Sequence, residues 1–459
     1  MKRRDMMKEL KFQTKSGWLK LNADEVDKFA KGYIKFINSC KTERQTVKFA
    51  EEVLKREGFV DISEYDGSTS AKVYMKFREK ALVAMKINSK LTDGTNLVVS
   101  HIDSPRIDLK PHPIIEDEGI ALAKTHYYGG IKKYHWFNIP LSIVGVVVKE
   151  DGTTIDVNIG ENEDDPVFVI SDLLPHLDRK DEKVSEKFQA EKMNLILGSV
   201  PLNDEEEEAV KLNILKILNE KYGIKEEDLI SADLYLVPAF KAKEIGLDRS
   251  FVGAYGHDDR ICAYTSLIAL IEANSDKNMG IILFDKEEIG SDGNTGAKSR
   301  FYMMFFRKVL KKQGFDDVEF YLDETLEKTN VISADVNAAI NPSFKDVHDP
   351  ANAARAGHGI VLTKYTGARG KAGASEARAE LVAKVRAVLN KNGVLWQVGN
   401  LGKVDVGGGG TVAKFLAEKG AEVIDMGPGL IGMHSPYELV SKIDLYESYR
   451  AYKALLENL

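Results

Sequence analysis

Met279–Ser291 reads MGIILFDKEEIGS. Gly280 to Phe284 is an unbroken apolar run, the pattern of a strand buried on both faces in a sheet covered by helices. It stops abruptly in Asp285-Lys286-Glu287-Glu288, with Gly290 just beyond. Carboxylates are costly to bury unless they are paired, hydrogen-bonded or bound to metal. In an α/β protein the end of such a strand is where ligands bind. The plain alternative is a solvated loop, so the choice rests on what the rest of the chain brings to the same place.

Two more runs behave alike. NLVVS, 96–100, leads into His101-Ile102-Asp103-Ser104-Pro105, and NVISA, 330–334, ends in Asp335. Further strands are predicted at 359–362, 394–397 and 421–426. Helices at about 258–273, 294–312, 373–391 and 410–419 alternate with them, and a last helix runs from Pro436 to Glu457. Earlier, 24–39 and 42–57 read as helices, the second opening with Thr42 and Gln45 at capping-box spacing. Alternation of this kind predicts an α/β fold with a mixed, largely parallel sheet flanked by helices. Between about 107 and 242 the pattern changes. Leu141–Val148 and Thr153–Ile159 flank Asp151-Gly152 as a hairpin, and 230–238 is a further strand. A solvated helix, 205–222, starts in the acid run Asp204–Glu208, which suits a helix N-terminus and carries no function. The division is 1–106, first part of one domain; 107–242, an inserted β-rich domain; and 243–459, the second part of the first.

Composition excludes several functions. The chain has 459 residues and a net charge of -7, with acids and bases spread along it, so no basic surface for nucleic acid is expected. The opening MKRRDMMKELKF lacks the apolar core of a signal peptide, and no run approaches the roughly 18 apolar residues of a membrane helix. Cys40 and Cys262 are the only cysteines, which argues for a reducing cytoplasm and against a cysteine-based zinc site.

The candidate site is assembled from strand ends. His101, Glu287, Glu288 and Asp335 each follow a buried strand, Asp258 opens a helix, and His434 sits in the glycine-rich stretch before Pro436. In a parallel sheet the carboxyl ends share one edge, so these residues can meet there. Imidazoles and carboxylates together suit a pair of divalent ions, zinc, manganese or cobalt rather than magnesium. Each residue also has an ordinary reading: a loop histidine, a helix cap, an ion pair, a turn.

HIDSP at 101–105, GHDDR at 256–260, DKEEIGS at 285–291, SADVNAAINP at 333–342 and GMHSP at 432–436 resemble the ordered motifs of the aspartyl aminopeptidase family of dinuclear zinc exopeptidases. The likeness extends to YYGG and WFN within 127–138 of the insert. The resemblance implies two divalent ions per chain, zinc first and cobalt or manganese next. His101 would bind one and His434 the other, with Asp258 bridging and Glu288 and Asp335 each completing one shell. Glu287 would be the general base for attack by a metal-bridging hydroxide, and Asp103 would orient His101. His176, in the PHL of 175–177, would reach a neighbouring subunit's site.

Departures are His257 and Asp259 on either side of the bridging Asp, and VDVGGGGT at 404–411, which leaves the specificity pocket open. The expectation is a cytoplasmic metalloaminopeptidase that removes N-terminal residues from peptides with a free N-terminus. It would be a homo-oligomer, dimerising through the insert and, by the resemblance, a tetrahedral dodecamer. Rival readings are an N-acyl amidase or deacylase on a related fold and a catalytically silent peptide-binding scaffold. Lys364, Arg369 and Lys371 form a basic loop read as solvated.

Overall fold

A computed structural model of the chain describes residues 10–178, 181–204 and 207–459. The basic opening residues 1–9, and Glu205 and Glu206 of the acid run, lie outside the described residues. The principal sheet has nine strands. In spatial order they are Val60–Asp61, Ala71–Phe77, Ala81–Ile87, Met279–Phe284, Asn96–His101, Asn330–Ser333, Glu422–Gly427, Ile360–Thr363 and Trp396–Val398. The central four, from Met279–Phe284 to Glu422–Gly427, are mutually parallel. Their carboxyl ends therefore lie along one edge, with Phe284 opposite His101 in the register.

Both faces of these strands are buried, which is why their sequences show no polar alternation. Ile281, Leu283, Val98, Ile332 and Ile424 point into one core, under the helices Ala23–Ser39, His257–Glu272, Ala379–Lys391 and Lys442–Asn458. Ile282, Phe284, Val99, Val331 and Val423 point into the other, under Phe301–Lys312 and Val318–Glu327. Gly280 fits this crowded centre because a Cβ there would stand 2.5 Å from the Met85 side chain and 2.8 Å from the Ala84 carbonyl oxygen.

Residues 106–238 build a separate seven-stranded antiparallel sheet with its own core around Trp136, Leu236 and Val144. The expected hairpin pairs Leu141–Val148 with Thr154–Ile159. The long pair Arg106–Asp117 and Ile120–Tyr128 breaks register between Leu109 and Ile114, where Pro111 and Pro113 cannot donate to a ladder.

Several boundaries differ from those read in the sequence. The helices expected from 294 and 373 begin at Phe301 and Ala379, and the one expected at 410–419 is confined to Ala413–Ala417. The final helix begins at Lys442, not Pro436: Ser441 caps it by accepting from the Ile443 N–H. Glu438–Ser441 is instead a strand of a five-stranded sheet, paired with Phe251–Ala254 and Gly429–Ile431, that the periodicity did not show. Its strands are too short to display a period. Thr42 caps its helix as expected, with the full capping box to Gln45.

Candidate active site

Strand order delivers the side chains. His101 ends its strand, Asp335 lies two residues beyond Ser333, and Glu287 opens a single turn after Phe284 and Asp285. Asp258 sits at the head of the His257–Glu272 helix, where its own backbone is not helical and its peptide bond to Asp259 is cis. His434 stands in a left-handed backbone conformation in the loop between two strands of the five-stranded sheet. These five residues, with Glu288 beside Glu287, line one open cleft of about 250 Å³.

At its centre is Asp258. Its Oδ1 is 3.2 Å from His101 Nε2, and its Oδ2 is 3.1 Å from His434 Nε2. His434 Nε2 is also 3.4 Å from Glu288 Oε1, and His101 Nε2 is 3.9 Å from Asp335 Oδ1. Asp258 Oδ1 and Glu288 Oε1 are buried and accept no hydrogen bond of adequate geometry. Two ligands at zinc–oxygen and zinc–nitrogen lengths in a tetrahedral shell are themselves about 3.3 Å apart. The spacing and the orphaned oxygens fit cations held on either side of Asp258. Burial drives the Glu288 and Asp335 carboxyls well up, and their neighbouring carboxylates, Asp258 beside Glu288 and Asp259 beside Asp335, push the same way. Cations would reverse that sign. A second group of possible ligand atoms joins His101, Asp259 and Asp335.

Asp103 is fully buried behind His101. Its Oδ1 is 3.3 Å from His101 Nδ1, its backbone carbonyl is 3.0 Å from the same nitrogen, and its carboxylate accepts the N–H groups of both Glu287 and Glu288. Glu287 is pushed up to about 7, mainly by burial. His176 is exposed in a turn and is not among the cleft residues of its own chain.

Three contributors were missed. Glu438, almost fully buried, accepts from the N–H of Asp258 and the N–H of His434, tying the two loops together. Its place in a short strand hid it. Ser104 Oγ donates to the Asp258 carbonyl; the HIDSP motif was the available signal. Tyr128 donates to Asp103 Oδ2 at 2.8 Å. The departures also acquire a place: His257 packs away from the cleft, with Nδ1 2.6 Å from Tyr33 Oη and its pKa pushed down to about 3 by burial. Asp259 Oδ2 accepts from the His101 N–H. Arg369 and Lys371 are exposed, as expected of a solvated loop, yet they stand on the rim of the cleft with Gly407–Gly410.

A largely parallel sheet core with His101 and carboxylates at its strand ends, joined in one cleft by Asp258 from a helix head and His434 from a neighbouring sheet, is the arrangement of a metal-dependent hydrolase of the zinc exopeptidase type. Residues 36–456 match the family described as aminopeptidase I zinc metalloprotease (M18), and the chain belongs to that family. A probable M18 family aminopeptidase 1 of Thermotoga maritima is 58% identical over 451 residues, covering 98% of this chain and 100% of the relative. One from Clostridium acetobutylicum is 45% identical over 467 residues, 99% of each. The crystal structure of an M18 family aminopeptidase from Thermotoga maritima superposes with a TM-score of 0.97 at 58% identity, over 98% of this chain and 100% of that one. The protein is accordingly a metalloaminopeptidase, not an N-acyl amidase or a silent scaffold, and zinc is the metal of its family. Among the described residues no helix is long and apolar enough to cross a membrane.

Proposed function

We propose that the chain removes N-terminal residues from peptides at a centre of two divalent ions, with Asp258 shared between them. The observation that carries this is one carboxylate with its two oxygens 3.2 and 3.1 Å from two different imidazoles. His101 and Asp335 would serve one ion, Glu288 and His434 the other, and zinc is the ion of choice. When bound, such ions polarise the scissile carbonyl and lower the pKa of water. Glu287 takes the proton of the attacking water and hands it to the departing amine. It stands on a turn that Asp103 holds by accepting from the Glu287 N–H. Asp103 holds the Nδ1 proton of His101, which would leave Nε2 as the nitrogen free to meet the ion.

Residues 107–242 form the assembly domain in this reading, with 1–106 and 243–459 making the catalytic domain. A structure at 22% identity with the same fold is that of a dodecamer from S. cerevisiae, and we extend that assembly to this chain. His176 would then donate to the oxyanion in a neighbouring subunit, and the enzyme would work in the cytoplasm.

Glu287→Gln is the decisive variant. Zinc content by atomic emission should stay at the parent value while kcat falls about 10²–10⁴-fold; near-parental turnover would remove Glu287 as the base. A panel of aminoacyl substrates, run on apoenzyme reloaded with zinc, cobalt or manganese, should identify the preferred first residue.

A further inference from the structure

The stretch Tyr127-Tyr128-Gly129-Gly130 leaves the seven-stranded sheet at the end of the Ile120–Tyr128 strand and runs against the cleft. It touches the site at three points. Tyr128 Oη donates to Asp103 Oδ2 at 2.8 Å, the carboxylate that also accepts from Glu287 and Glu288 and faces His101. The Gly130 carbonyl oxygen is 2.8 Å from His434 Nδ1. A carbonyl can only accept, so Nδ1 carries a proton, and Nε2, which faces Asp258 and Glu288, is the nitrogen that would meet a cation. Gly129 passes so close that a Cβ there would be 3.3 Å from the Glu288 Cβ.

The tyrosine is itself clamped. The Arg106 guanidinium lies 3.9 Å from the centre of the Tyr128 ring and 3.8 Å from that of Tyr235, a buried cation between two aromatic faces. Arg106 pairs with Asp108 at 2.8 Å and faces the buried Glu43 at 3.5 Å. Glu43 opens the Glu43–Arg56 helix on the far side, and accepts from Tyr235 Oη. A chain of contacts thus runs from a helix beside the principal sheet, through the second sheet, to both histidines.

We propose that Tyr128 and the Gly130 carbonyl are positioning groups for this site. Tyr128 acts through Asp103 on His101 and on the turn that carries Glu287 and Glu288, and Gly130 acts through His434. The second sheet, besides any part in assembly, sets the geometry of the cleft within its own chain. This rests on the ligand assignment proposed above.

The test uses the full-length enzyme. Tyr128→Phe keeps the ring on Arg106 and removes only the hydroxyl. Orienting partners of metal ligands change affinity or activity by about 10–100-fold. Zinc affinity by chelator competition and kcat should therefore fall about 10–100-fold, with KM within about twofold of the parent. Gly130→Ala places a Cβ 3.3 Å from His434 Nδ1. It should weaken one of the two zinc-binding steps in calorimetry and leave the other unchanged. Parental zinc affinity and kcat in both variants would overturn the positioning roles, provided His434→Ala has lost an ion. If His434→Ala keeps its full zinc complement, the ligand assignment itself has failed, and this proposal with it.

Discussion

Asp258 has the most exacting position of any side chain in the cleft. It is buried, and each of its oxygens faces a different imidazole. Its main chain is held from two sides, the N–H by Glu438 and the carbonyl by Ser104. Burial opposes its charge, but the His101 and His434 imidazoles outweigh burial and hold the carboxyl well below the usual carboxylate range; divalent ions would act in the same direction. The two histidines differ in exposure: the His101 side chain is 2% accessible and that of His434 33%. The His434 half is therefore the one open to exchange. His434→Ala should lower bound zinc by about one ion per chain with the fold intact; atomic emission on dialysed protein measures it, and an unchanged stoichiometry would count against the assignment. His101, Asp103, Glu287, Glu288, Asp335 and His434 were legible because each stands where an apolar run ends or a motif falls. Glu438 and Tyr128 were not, since a glutamate and a tyrosine in β-like surroundings have many ordinary uses.

The Met279–Phe284 strand carries the cleft. Its side chains alternate between the two cores, and Phe284, fully buried, packs against Phe301 and Tyr302 with ring centres 5.5 and 5.7 Å away. Phe284→Ala should cost about 3–5 kcal/mol of stability, seen as a lowered denaturant midpoint. Because the next residues are the acidic turn, activity should be lost at lower denaturant than the global transition; coincident loss would show that the turn melts only with the core. Long buried elements such as this were readable from their composition. The short ones were not. Glu438–Ser441 offers only the adjacent Leu439 and Val440, which show no period, and its pairing with Phe251–Ala254 decides the matter. Residues 294–300 form turns and bends, and 373–378 run as irregular backbone before the helix that starts at Ala379.

At the scale of the whole molecule, the principal sheet brings His101, Glu288 and Asp335 to the cleft, a helix head brings Asp258 and the five-stranded sheet brings His434, while the seven-stranded sheet touches the site through Tyr128 and Gly130. His176 lies on the second sheet's periphery, in a turn whose Leu173, Leu174 and Leu177 are also exposed, 54%, 48% and 69%. Exposed leucines around a histidine suit a contact with another subunit. His176→Ala should lower kcat by about 10²–10³-fold, the value of an oxyanion donor, and leave zinc content unchanged. Mixed oligomers of His176→Ala with Glu287→Gln should regain activity, because some sites then combine an intact base with an intact neighbour; no regain would place His176 outside the chemistry. The amino-acid order alone determined that there is a helix-covered sheet, an inserted antiparallel region, and metal-capable side chains at the strand ends, because burial writes itself into apolar runs and polar stops. Only the tertiary structure decided which of those ends are neighbours, that one aspartate stands between two histidines more than three hundred positions apart, and that Tyr128, Gly130 and Glu438 hold them there. Periodicity records which face of an element is buried, whereas strand order and hydrogen-bond partners arise from packing between segments that carry no trace of one another.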